Sequence, residues 1–404
     1  MTIMCKKKRK IKKEVAVCAV FALTLYGMWM ACLLHEERLY SEWEKRMLAQ
    51  KPEWELDTVL DGSYESAYEE WITDQFPMRD WWVGVRTRCE IFSGKKEING
   101  IYLGKDGYLF SDQVRTADWD SLEIRMTEQY GEEKVSRIHV PAAGSVLEEN
   151  LPYPLSFPAE KDTVWENLYN HREEYIYYRT DHHWTMLGAY YGYEAWAEDQ
   201  KMEPVSLSEL RKESVKEDFL GTHYGRLHYA EQSDIIELYD PGVECRVVYD
   251  LGESDLSGLY QPGRLSSGDA YRFFLDGNHA AVQIDTGRGE GHLAVLKDSF
   301  ANCLIPFLTI HYQKITVVDP RYFRADPVAW LQDQGVTEVL ILAQDTVSVD
   351  YMDKVSADET AVEKEGILCY SETGGCTDEV EEDRVHVSGS TDMGFRYFRI
   401  GFKY

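Results

Sequence analysis

The sequence predicts an α/β fold with a central, mainly parallel sheet. Three observations carry this. Short apolar runs occur at His292 to Leu296, Ile315 to Val318 and Val336 to Leu342. Segments of helical character, Phe300 to Ile310 and Pro327 to Gln334, lie between them. Strands that alternate with helices form parallel sheets with right-handed crossovers. Third, 404 residues at 44% hydrophobic can bury a large core, as one large domain or two ordinary ones. The net charge of -28 repels phosphate backbones and excludes nucleic acid as a partner.

The N-terminus departs from this acidic character. Lys6 to Lys13 form a basic cluster, and Val15 to Leu34 then carries no charge. Such a run is long enough to cross ~30 Å of hydrocarbon as a helix. Basic residues before it and His35-Glu36-Glu37 after it predict an uncleaved single-pass anchor, N-terminus inside, with the main domain outside the cytoplasm. Residues 1–14 are thus read as a cytoplasmic segment, 15–34 as the transmembrane anchor and 35–60 as a stalk. Residues 61–354 form the main domain, and 355–404 an acidic extension. Leu39, Trp43 and Met47, spaced by four, predict a helix over 36–49 that ends at Pro52.

Helices are expected from Ser63 and from Arg79 to Phe92. A hairpin is expected over Ile98 to Phe110, turning at Asp106-Gly107. Ser136 to Val140 reads as a strand, 144–170 as loop-rich, and Met186 to Gln200 as a helix capped by Thr185 or Asp181. Residues 201–270 give no pairing. Tyr271 to Leu275 reads as a strand stopping at Asp276-Gly277-Asn278-His279. Cys369 and Cys376 could pair in an oxidising space.

The densest chemistry lies in Thr180-Asp181-His182-His183-Trp184-Thr185, in a chain with only 11 His. Ser299 follows an apolar strand and opens a helix, where a hydroxyl can act as nucleophile and a backbone N–H can meet an oxyanion. It could equally be only a helix cap. His183 could take the serine proton while Asp181, two residues earlier, orients the imidazole. His182 then points away. Asp181, His182 or His183, and His279 form a rival metal set, but no metal-ligand spacing supports it. Asn278 and Gly277 are candidate oxyanion donors, and Trp184 could stack on a sugar or pack in the core. No metal or cofactor is expected.

TDHHWT with LGAYYGYEAW resembles the DHHW family of membrane-anchored bacterial proteins. DGNH, LKDSFANCLIPFL, ITVVDPRYF, DQFPMRDWW and INGIYLGKDGYLF fit the same family, over most of residues 60–350. The family is similar to alginate O-acetylation proteins of the AlgJ/AlgX type. The resemblance implies an SGNH-hydrolase-like (flavodoxin-like) three-layer fold. It places the Asp-x-His element on Asp181 and His183 and the nucleophile on Ser299. Lys297 departs from the pattern, standing where SGNH enzymes carry Gly. The implied function is an extracytoplasmic O-acyl (acetyl) transferase acting on a cell-surface or exported polysaccharide. An acyl donor and a polytopic membrane-bound O-acyltransferase would be its partners. An esterase with the same residues and a non-catalytic glycan-binding scaffold are the alternatives.

Overall fold

Six strands form the sheet that the late apolar runs predict: β1 (Val135–Val140), β2 (Arg246–Tyr249), β3 (Ala281–Asp285), β4 (Glu290–Lys297), β5 (Tyr312–Val318) and β6 (Glu338–Gln344). In the computed structural model they pair in the order β1-β6-β4-β5-β3-β2. The neighbours from β1 to β5 are parallel, and β3 runs antiparallel to both β5 and β2. The structure describes residues 2–111 and 119–344, except 156, 158, 253 and 255, together with strand segments 368–369, 377–381, 384–388 and 398–399. Cys376, and with it the expected pairing to Cys369, lies outside the described residues, as does the boundary expected at 354.

Alternation along β4 explains its unbroken apolar run. Leu293 and Val295 join one buried cluster with residues of helices α2 (Thr163–Asn170) and α3 (Met186–Asp199). Ala294 and Leu296 join another with residues of α1 (Trp119–Tyr130) and α4 (Pro327–Asp333). Successive side chains of a strand point to opposite faces, so a strand covered on both must be apolar throughout.

The chain divides into two units, Met1–Arg86 and Thr87–Tyr404. In the first, a helix spans Thr2–Leu34, and its Val15–Cys32 stretch is long and apolar enough to cross a membrane. The helix expected over 36–49 is instead a small antiparallel pair, Tyr40–Ser41 with Arg46–Met47. The Asp74 carboxylate accepts from Arg46 Nη1 and Nη2 at 2.7 and 2.6 Å and from the Ala49 N–H at 2.9 Å. Those bonds hold the segment extended, and tertiary contact overrides its weak helical spacing.

Other expectations in the second unit also change. The 98–110 hairpin is part of a three-stranded antiparallel sheet, with Asn99-Gly100 and Asp106-Gly107 at positive φ in its two turns. The loop-rich reading of 144–170 missed α2, which Asp162 caps by accepting from the Trp165 N–H at 2.8 Å. Residues 201–270 hold an antiparallel pair, Arg211–Phe219 with Asp234–Asp240, besides β2. Ala270–Phe273 is a 3-10 turn, not a strand. The expected 300–310 helix is broken into a 3-10 turn, Ser299–Cys303, and a short helix, Ile305–Leu308. Pro306 cannot donate a backbone hydrogen bond, so it sits in the first turn of the second piece.

Candidate active site

Ser299 lies just beyond the carboxyl end of β4, in the interior of the sheet, where open parallel sheets present ligands. Asp298 shapes the turn. Its carboxylate accepts from the Phe300 N–H at 2.9 Å and from the Gln344 N–H, at the end of β6, at 2.8 Å. Burial raises its pKa above the ordinary carboxylate value. No protein acceptor for the Ser299 N–H occurs among the described residues.

The Asp-His-His-Trp segment is a loop folded back on itself. The N–H of Tyr178 donates to the His183 carbonyl at 3.2 Å, and that of Thr185 to the Ile176 carbonyl at 2.9 Å. Asp181 closes the loop from within by accepting from the His183 N–H at 3.0 Å, a local turn that Asp favours. The same Oδ1 lies 2.5 Å from His183 Nδ1, and His183 Nε2 lies 2.7 Å from Ser299 Oγ. Asp181 and His183 are both buried. The i, i+2 spacing works because the chain curls, which brings the carboxylate under its own imidazole.

Several residues that the sequence reading did not single out hold this arrangement. The other carboxylate oxygen of Asp181 accepts from the Thr222 N–H at 2.7 Å and from Thr222 Oγ1 at 3.0 Å. Asp234 accepts from the N–H groups of Arg179 and Thr180 at 2.8 and 2.7 Å and from the hydroxyls of Thr180 and Tyr175 at 2.6 and 2.5 Å. The backbone entering Asp181 is thereby fixed. Tyr271 stacks on the His183 ring at 3.9 Å, and its hydroxyl lies 3.2 Å from the Ser299 carbonyl oxygen. Burial holds that phenol protonated, well above its ordinary pKa, and burial likewise lowers His223 to about 4. Asp234 merely opens a strand and Thr222 sits in an unremarkable Gly-Thr-His stretch, so neither carries a sequence signal.

Two expected roles do not survive the geometry. Trp184 is fully buried and its Nε1 donates to the Phe300 carbonyl at 2.9 Å, so it cannot stack on a sugar. The Gly277 N–H donates to the Phe274 carbonyl at 3.1 Å and is not available to an oxyanion. Asn278 is buried, with Oδ1 2.7 Å from Lys297 Nζ. His182 is partly exposed, its Nδ1 2.7 Å from Thr222 Oγ1.

A metal could be considered at Asp181, His182 and His183, whose ligand atoms lie within 4.8 Å of one another. Both His183 nitrogens, however, face partners already, Asp181 and Ser299. His279, the further ligand considered from the sequence, stands outside this group and is engaged with Asp250 and Asp276. The arrangement instead has the geometry of a serine whose proton can pass to an imidazole oriented by a carboxylate.

Comparison with known proteins agrees with the segment at the centre of this cluster. Residues 155–318 match the DHHW family. A DHHW family protein from Eubacterium siraeum is similar in structure, with 25% identity and a TM-score of 0.53 over 65% of this chain and 96% of that one. PatB1 of Bacillus cereus, in a structure with a sulfonyl adduct, is 18% identical with a TM-score of 0.48 over 62% and 96%. The O-acetyltransferase domain of Pseudomonas putida AlgJ is 14% identical with a TM-score of 0.37 over 63% and 95%. No curated protein matches the chain. The DHHW match spans Asp181, His183 and Ser299 together, so the family segment holds both halves of the cluster.

Proposed function

We propose that this chain is a serine-dependent O-acyl (acetyl) transferase of the cell envelope that modifies a cell-surface or exported polysaccharide. The observation that carries the reading is His183, whose ring bridges Asp181 and Ser299 at 2.5 and 2.7 Å. Ser299 Oγ attacks the acyl carbonyl of the donor, and its proton passes to His183 Nε2. The carbonyl electron pair moves onto oxygen, then returns to expel the donor's leaving group, which takes the proton from His183. An acceptor hydroxyl gives its proton to the same nitrogen and attacks the acyl-serine; the acyl–Oγ bond then breaks, and Ser299 Oγ takes that proton back from His183. Asp181 orients the imidazole and stabilises its charged form. No metal or cofactor enters this sequence.

The domain from 61 to 354 is read as SGNH-hydrolase-like and three-layered, with the 355–404 extension outside it. Val15 to Leu34 anchors it, with the N-terminus cytoplasmic and the domain outside. A polytopic membrane-bound O-acyltransferase supplies acyl groups across the membrane. TDHHWT, LKDSFANCLIPFL and their companions resemble the DHHW family, which is itself similar to alginate O-acetylation proteins, and this supports transfer as the leading reading, with hydrolysis by the same residues as the alternative.

The test uses the full-length chain in detergent. A serine-directed phosphonate is expected to label Ser299 and to fail with Ser299→Ala; labelling that survives this change refutes the reading. With p-nitrophenyl acetate and an oligosaccharide acceptor, acetylated sugar is the expected product. Acetate alone across a panel of acceptors assigns the chain to the esterases instead.

A further inference from the structure

Tyr271, in the 3-10 turn Ala270–Phe273, touches both His183 and Ser299. Its ring stacks face to face on the His183 imidazole, with centroids 3.9 Å apart and 11° between the planes. Its hydroxyl donates to the Ser299 carbonyl at 3.2 Å and lies 3.3 Å from Cys303 Sγ. The ring in turn meets the rings of Tyr178 and Phe274 edge-on, at 6.2 and 5.6 Å. Tyr271 is buried, so packing alone fixes where its face lies.

His183 has a need that this face meets. Its side chain is only 3% exposed, so water does little to solvate the charge gained when the Ser299 proton arrives. Asp181 answers that charge at the Nδ1 edge of the ring, 2.5 Å away. The faces of the ring depend on other aromatic groups. His182 lies at 3.8 Å but is tilted by 37°, and Phe300 at 4.8 Å is tilted by 55°. Among the described residues, only Tyr271 lies parallel to the imidazole. The face of a tyrosine ring is negative and attracts a cation, more strongly where water is excluded. A neutral imidazole gains far less from it, so the contact strengthens as the proton transfers, and such an interaction speeds a reaction.

We propose that Tyr271 is a positioning residue: its ring face holds the His183 imidazole in plane and stabilises the imidazolium formed when Ser299 attacks the acyl carbonyl. This rests on the acyl-transfer reading above. In the step concerned, the Ser299 Oγ–carbon bond forms, the Oγ proton goes to His183 Nε2, and the carbonyl π pair becomes a lone pair on oxygen. Asp181 then stabilises the new positive charge from the edge of the ring and Tyr271 from its face. The Tyr271 hydroxyl ties the ring to the turn that carries Ser299, but the face does the stabilising.

The experiment measures the p-nitrophenol burst from p-nitrophenyl acetate with the full-length chain in detergent, with circular dichroism of each form. The forms are wild type, Tyr271→Phe, Tyr271→Leu and a chain with pentafluorophenylalanine at position 271. Tyr271→Phe keeps a negative ring face and is expected to stay within about three-fold of wild type, because the cation is held by the face. Pentafluorophenylalanine has nearly the same shape but a face that no longer attracts a cation. That form and Tyr271→Leu are each expected to acylate about ten-fold more slowly than Tyr271→Phe, with KM nearly unchanged. A role in packing alone would leave the two aromatic forms equal, so a fluorinated form as fast as Tyr271→Phe overturns the proposal. A folded Tyr271→Phe as slow as Tyr271→Leu also overturns it, by assigning the effect to the hydroxyl. Should Tyr271→Leu fail to fold, the comparison of the two aromatic forms decides. Wild type that neither acylates nor labels at Ser299 removes the acyl-transfer reading itself. Wild-type acylation with equal rates for the two aromatic forms removes only this inference.

Discussion

His183 Nε2 lies 2.7 Å from Ser299 Oγ, across 116 positions of sequence. The fold closes that distance because the Asp-His-His-Trp loop is pinned from several sides, and Asp181 then fixes the ring through Nδ1. Asp181→Asn keeps the shape but offers an NH2 where Nδ1–H must donate, which favours the wrong tautomer. The acylation rate is expected to fall on the order of 10³- to 10⁴-fold, with unchanged circular dichroism. A loss under about ten-fold would leave Asp181 as a loop-closing residue only.

Trp184 contributes stability and not sugar binding. Its indole N–H donates to the Phe300 carbonyl, next to Ser299. Trp184→Phe removes the donor and opens a small void, at a cost of about 1–3 kcal/mol. The urea midpoint is expected to drop, while the KM for an oligosaccharide acceptor stays at the wild-type value. A raised acceptor KM in a fully folded variant would return Trp184 to the substrate site.

Asp276 ties a strained turn into the core. Leu275, Asp276 and Gly277 all have positive φ, and the Asp276 carboxylate meets Arg264, Arg272 and His279. Burial alone would raise its pKa, but hydrogen bonds from His279 and Arg264 and the charges of Arg272 and His279 bring it down to about 2. A depressed folded pKa means the stabilisation is present above the ordinary carboxylate value and is lost as pH falls through about 2. Relative to Asp276→Asn, wild type should be more stable by ~2 kcal/mol above about pH 5. Thermal melts should show this gap closing toward pH 2. A gap independent of pH would mean that the carboxylate charge is not what holds the turn.

Where one period dominated, the sequence reading was close. β4, β5 and β6 are short apolar runs buried on both faces, as strands of a mainly parallel sheet covered by helices on both sides are. Asp181, His183 and Ser299 stood out because acid, imidazole and a post-strand serine are each chemically conspicuous. The misses came from side chains that reach across the chain. Nothing in the 36–49 segment says that Asp74 will hold Arg46 and Ala49 extended. Nothing near Trp184 says that its N–H will meet the Phe300 carbonyl. The Asn278–Lys297–Asn302 contact joins positions whose neighbours give no hint of pairing, so only the folded sheet brings their polar ends together.

Gly221 illustrates such a contact in its sharpest form. It precedes Thr222, the residue that holds the outer oxygen of Asp181. A Cβ placed on Gly221 would overlap the Asp181 Cβ and Oδ2 and come within 2.6 Å of its Cγ. These atoms cannot give way easily, because the same carboxylate is bound to Thr222 and His183. Gly221→Ala should therefore push Asp181 off the His183 ring while leaving the distant sheet intact. A displacement near 1 Å in a catalytic group costs about 10²-fold in rate, so a fall of that size is expected in the acylation burst. Gly263→Ala is the matched control, since no atom lies within 4 Å of its Cβ position. A Gly221→Ala enzyme that acylates like Gly263→Ala would show that the carboxylate has room to move and that its exact placement does not govern the reaction.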